Sequence, residues 1–158
     1  MKTLNKIVMG CAALVLLTGC STKCTFAKFK EEATKAAEKD PGYKKCVVKG
    51  SATAGGQGMS LSFKLDHEFI KTENGWVLNK GEEGMSEAAA VVLMTYRAVD
   101  FTYQEDADCT YYAGNGFKIV EKTDDGEATM KFDKFGYVTS NKGKGEKYNA
   151  DVTVKWSK

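Results

Sequence analysis

From Tyr148 to Trp156 the chain alternates without a break. Tyr148, Ala150, Val152, Val154 and Trp156 fall on one side, and Asn149, Asp151, Thr153 and Lys155 on the other. Successive side chains of a β-strand point to opposite faces, so this pattern belongs to a strand with one face buried and one in water. Met59, Leu61, Phe63, Leu65, His67 and Phe69 repeat it against Ser60, Ser62, Lys64, Asp66, Glu68 and Ile70. Residues 44–54 give a third such strand, with Cys46, Val48, Gly50, Ala52 and Ala54 on one face. Sheets covered on one face only are antiparallel. Turn signals separate the runs: Gly55-Gly56-Gln57-Gly58, Asn74-Gly75, Asn115-Gly116 and Asp125-Gly126. Shorter runs lie at Trp76–Leu78, 100–104, 109–113, 117–123, Ala128–Phe132 and Tyr137–Thr139, and about seven or eight antiparallel strands are expected from the whole set.

Two segments change the period. Thr25 caps a helix expected to run to about Lys39, with Phe26, Phe29, Ala33, Ala36 and Ala37 on one face and Asp40-Pro41-Gly42 ending it. A second helix is expected over about 86–99, started by Ser86, and its residues from Ala88 to Val99 leave almost no polar face. A helix apolar all round is buried or spans a membrane, and this one is too short to span. It is therefore expected inside the sheet's concavity or plugging one end. The expected class is α+β: a curved antiparallel sheet, a half-barrel-like meander, with an N-terminal helix and a central apolar helix.

The first 20 residues obey different rules. Lys2 and Lys6 precede an apolar run from Ile7 to Leu17, too short for a comfortable transmembrane helix but right for a secretory signal peptide. Leu17-Thr18-Gly19-Cys20 resembles a bacterial lipobox. The resemblance implies cleavage before Cys20, lipid on that cysteine, and an extracytoplasmic protein held at the bacterial cell membrane or outer membrane. Residues 1–19 are then a cleaved signal, 20–24 a lipidated tether and 25–158 one domain. Lys2 and Lys6 are the only charges lost, so 23 basic residues fall to 21, against 21 acidic ones. Arg97 is the single arginine. A nucleic-acid binder carries a basic face and reads bases with arginine, and neither is present. Membrane attachment is expected from the lipid alone, and the domain is expected to be a monomer.

Cys24, Cys46 and Cys109 remain after lipidation, in a location where disulfides persist. Cys46–Cys109 is the preferred pair, because each cysteine begins an expected strand; Cys24–Cys46 competes with it. With one histidine and no Cys-x-x-Cys, no metal site and no cofactor are expected.

The segments "FDKFGYVT" and "ADVTVKW", with an apolar helix between the two halves of a long antiparallel sheet, resemble the lipoprotein-carrier fold of LolA and LppX-like proteins. That resemblance implies a hydrophobic cavity between sheet and helix. Its expected lining is Val92, Leu93, Tyr96, Phe63, Leu65 and Phe101. Catalytic machinery is not expected. His67 lies on the opposite strand face from Ser60 and Ser62, and no nucleophile elbow occurs. Glu105-Asp106-Ala107-Asp108 lacks the calcium-loop pattern, and the glycines at 55–58 are not followed by the Lys-Ser/Thr of a phosphate loop. The functional expectation is a membrane-anchored lipoprotein that binds a hydrophobic or lipid ligand. The alternative is a lipid-anchored structural or protein-interaction module with a filled core.

Overall fold

A computed structural model of the protein describes residues 21–56, 59–146 and 148–158. The expected signal segment 1–19, the lipidation site Cys20 and residues 57–58 of the expected Gly55–Gly58 turn lie outside the described residues.

Nine strands form one open antiparallel sheet. They are β1 (Thr22–Cys24), β2 (Lys45–Gly56), β3 (Met59–Thr72), β4 (Gly75–Lys80), β5 (Asp108–Ala113), β6 (Phe117–Thr123), β7 (Gly126–Phe132), β8 (Val138–Gly145) and β9 (Tyr148–Ser157). Their spatial order is β1-β5-β6-β7-β8-β9-β2-β3-β4. Among the described residues, helix α1 (Phe26–Ala37) and helix α2 (Met85–Thr95) are the two α-helices of this α+β fold. Both cover the face that carries the alternating apolar residues: α1 packs over β5 and α2 over β3 and β2.

The strand count exceeds the seven or eight expected. Thr22–Cys24, taken as free tether, pairs with Tyr111–Ala113 at the edge of β5. Three polar residues are too short to show a period, so only the neighbouring strand's open hydrogen-bonding edge explains their conformation. Conversely, the run expected as a strand at 100–104 is a 3₁₀ turn at Ala98–Asp100 followed by irregular chain. The Lys30 ammonium takes the carbonyls of Val99 and Phe101, which removes them from any ladder.

Thr25 caps α1 as expected, its hydroxyl accepting from the Lys28 N–H at 3.3 Å. Helix α2 starts one residue before the expected Ser86, with Gly84 in the cap position, and stops at Thr95 rather than about 99. The chain then becomes extended at Tyr96, and Arg97 bridges to Tyr137. The expectation that α2 is enclosed on all sides is also corrected. Ala90 and Met94 are buried against the sheet, but Val92 is 64% exposed and Val91 and Met85 also face out. A helix lying on an open sheet has a neighbour on one side only.

The registers place the core along the strands. At one end, called the base here, Phe69, Cys46 and Trp156 lie side by side, and Phe117 stands opposite Phe132. Helix α1 closes over this end, with Phe29 fully buried and its ring 5.4 Å from that of Tyr111 and 5.7 Å from that of Phe117. The β7–β8 turn completes the closure. Asp133 accepts hydrogen bonds from the N–H groups of Phe135 and Tyr137 and from the Tyr43 hydroxyl. The Tyr43 ring stacks on Trp156 at 5.4 Å. Residues 21–158 thus include one continuous core with helices, sheet and closing turn, and a chain beginning at Ser21 keeps every contact described.

Candidate functional site: the open end of the helix-covered face

The opposite end of the same face is made differently. Following the registers across the sheet, Phe63, Ala52, Ala150, Gly143, Ala128 and Glu121 form one lateral row on the helix-covered side. Four of these six are Ala or Gly, on four adjacent strands. At the Ala128 and Glu121 end of this row lies a pocket of about 390 Å³, roofed on one side by Tyr96 and Phe101 and walled by Ile119, Met130, Glu121 and Tyr148. The size is in the range of small-molecule sites, and the lining is mainly apolar.

Gly143 is what lets the pocket wall form. A Cβ on this residue would stand 2.3 Å from the Tyr148 ring, so any other residue forces the ring away. With glycine there, Tyr148 lies across β8 and donates its hydroxyl to Asn141 Oδ1 at 3.0 Å. Burial pushes the Tyr148 phenol above its usual range, and the charge of Glu121 adds to the rise. Burial also raises Tyr96, with Asp100 adding to it. Both phenols are neutral at physiological pH.

Glu121 is the unusual member. It follows Phe117 and Ile119 at an inward position of β6, where every other strand offers an apolar, small or neutral polar residue or His67. Among the described residues it is the one carboxylate on the helix-covered face of the sheet, and it has neither a hydrogen bond nor an ion pair. Its neighbours register its charge. After burial, which dominates in each, Glu121 adds to the upward shift of Tyr111, Cys109 and Tyr148.

The expected lining is partly relocated. Tyr96 and Phe101 do line the pocket. Leu65 is buried in the core, Phe63 and Leu93 are half-buried against it, and none of the three lines the pocket. Val92 faces solvent. Glu121, Met130, Ala128 and Tyr148 line it without having been singled out. Glu121 did carry a signal, since it breaks the apolar series Phe117, Ile119.

His67 is held as a structural residue. It is 2% exposed, and its Nε2 lies 2.9 Å from the Glu82 carbonyl oxygen, to which it donates in the tautomer whose Nδ1 accepts from the Asp66 N–H. Gly81, at a φ of +129°, makes room: a Cβ there would stand 2.5 Å from the imidazole. Ser60 and Ser62 are exposed on their strand.

The preferred Cys46–Cys109 pairing is replaced by three free thiols, Cys24, Cys46 and Cys109. β6, β7, β8 and β9 lie between the strands that carry Cys46 and Cys109. Cys24 stands opposite Tyr111, again across the sheet from Cys46. Burial pushes the Cys46 thiol up to about 12.

Comparison with known proteins finds no matching family model, no similar curated protein and no similar solved structure. No helix among the described residues is long and apolar enough to cross a membrane.

Proposed function

We propose that this chain is a lipid-anchored extracytoplasmic lipoprotein, modified at Cys20, that binds a hydrophobic ligand in the pocket at the open end of its sheet. The carrying observation is a mainly apolar pocket of about 390 Å³ on the helix-covered face, lined by Tyr96, Phe101, Ile119, Ala128, Met130 and Tyr148. A well-packed interior of this size fills such space with side chains, and voids larger than a water molecule are few. Here the filling is absent while the base is packed with aromatic rings. The lipobox-like Leu17-Thr18-Gly19-Cys20 supports the anchor, and the carrier-like order of strands and apolar helix supports the kind of cargo.

The test is organic extraction of the purified protein followed by mass spectrometry, alongside titration of the chain from Ser21 with a neutral solvatochromic dye. An apolar compound should co-purify and saturable dye binding should occur, and Ala128→Phe should abolish both by filling the pocket. Neither a co-purifying compound nor saturable binding by the wild type would refute the reading. For the anchor, Cys20→Ser should leave an unprocessed or released protein; unchanged membrane retention and N-terminal mass would reject it.

A second reading, a protein-interaction module without a ligand, is favoured by one observation. Met85 and Val92 on α2 and Met59 on β3 are large apolar side chains left in water, with Met59 77% exposed. Sustained failure of ligand binding, with self-association or partner capture lost in Val92→Ser, would favour it.

A further inference from the structure

Resting on the hydrophobic-ligand reading, we infer that the pocket selects an organic cation: an ammonium group carried on an apolar chain. Two features converge. Glu121 places an unpaired carboxylate on the pocket wall, on a sheet face otherwise without one among the described residues. Tyr96, Phe101 and Tyr148 bring aromatic rings to the same pocket. Cations are attracted to the faces of such rings, and a carboxylate completes the usual chemistry of ammonium recognition. The rim carries both signs, Asp125 and Glu127 with Lys144, and Glu127 is tied to Lys122 at 3.6 Å, so the charge on the pocket wall is that of Glu121.

The alternative head groups fare worse. A fatty-acid carboxylate would meet Glu121 as a like charge in a partly desolvated space, where such repulsion is screened less than in open water. A neutral head would leave the Glu121 carboxylate on the pocket wall without a partner, and an ammonium supplies one. The apolar lining of Ala128, Met130 and Ile119 then takes the apolar chain. No side chain has to move from its present hydrogen bond, because Tyr148 is already committed to Asn141.

The experiment titrates the chain from Ser21 with decyltrimethylammonium, decanol and decanoate by calorimetry, each below its aggregation concentration. Decyltrimethylammonium should bind more tightly than decanoate by on the order of tenfold or more, with decanol between them. Glu121→Gln should erase the order, and Glu121→Asp should keep it; unfolding midpoints near wild type confirm that both variants are folded. Decanoate or decanol binding the wild type as tightly as the ammonium overturns the inference and leaves the hydrophobic-ligand reading standing. An ammonium preference that survives Glu121→Gln also overturns it. If none of the three binds, the hydrophobic-ligand reading fails, and the inference with it.

Discussion

The base and the open end of the helix-covered face are built on the same strands, yet the chain equips them oppositely. At the base, β9 offers Trp156, β7 Phe132, β6 Phe117 and β3 Phe69. A few residues along, the same strands offer Ala150, Ala128, Glu121 and Phe63. At the base, rings fill the space under α1 and the Asp133 turn locks the lid. At the open end, the rings on the sheet are Phe63 on β3 and Tyr148, which lies across β8, with Ala52, Ala150, Gly143 and Ala128 in the same row. Backbone pairing is as regular at one end as at the other, with β8–β9 continuing to Lys144↔Asn149. The ladder alone therefore supports the open end, and side-chain volume, not secondary structure, decides where this sheet packs and where it receives.

Mutations can test that contrast, beginning with the largest effect. Phe29→Ala at the base should lower unfolding free energy by about 3–5 kcal/mol in urea, since it removes a fully buried ring. Met94→Ala on the sheet side of α2 should cost about 2–4 kcal/mol, whereas a negligible loss would show that α2 is a loosely seated cover. Gly143→Ala should cost roughly 1–3 kcal/mol through overpacking against Tyr148, and should weaken dye binding by displacing that ring. Leu61→Ala at the open end, where the side chain is 53% exposed, should stay within about 0.5 kcal/mol of wild type. A Leu61→Ala loss as large as that of Phe29→Ala would abolish the distinction between the two ends.

The last contrast is silent at neutral pH. Cys46 has a raised value of about 12 against 9.0 for an ordinary thiol, so above pH 9 the unfolded chain gives up its proton first. The unfolded state then binds fewer protons than the folded one, and stability falls as pH climbs from about 9 towards 12. Tyr43 and Tyr111, both pushed up chiefly by burial, act in the same direction. The urea midpoint should decline over that window, less steeply in Cys46→Ala, and thiol reagents should leave Cys46 unlabelled near neutrality while they reach Cys24 and Cys109.

Much of this architecture was legible in the residues. Strands β3 and β9 announced themselves by strict alternation, the Thr25 cap by residue type, and the hairpins at Asn115-Gly116 and Asp125-Gly126 by turn chemistry. What stayed hidden depended on neighbours far along the chain. Thr22–Cys24 is a strand only because β5 has a free edge there. Residues 101–104 are irregular because Lys30, some 70 positions earlier, takes the carbonyls of Val99 and Phe101. Hydrophobicity marked α2 as important but could not tell that Val92 would face water. Tyr96 and Phe101 were recognised as lining, while Glu121, Ala128, Met130 and Tyr148 were not. These four belong to β6, β7 and β9, and only the pairing of distant strands brings them to one pocket.

The pairing of β1 with β5 has a directional consequence. Thr22 sits opposite Ala113, and Ala113 opposite Phe117, so the chain enters the domain at the base. The pocket lies beside Thr123, Gly126 and Gly145, at the other end of those strands. The proposed lipid on Cys20, two residues before that pinned strand, would make the base the membrane-proximal pole and turn the pocket mouth outward. A domain anchored in that way would be poorly placed to draw molecules from its own bilayer and better placed to receive what arrives from the far side, with anchor and pocket at opposite poles of one sheet.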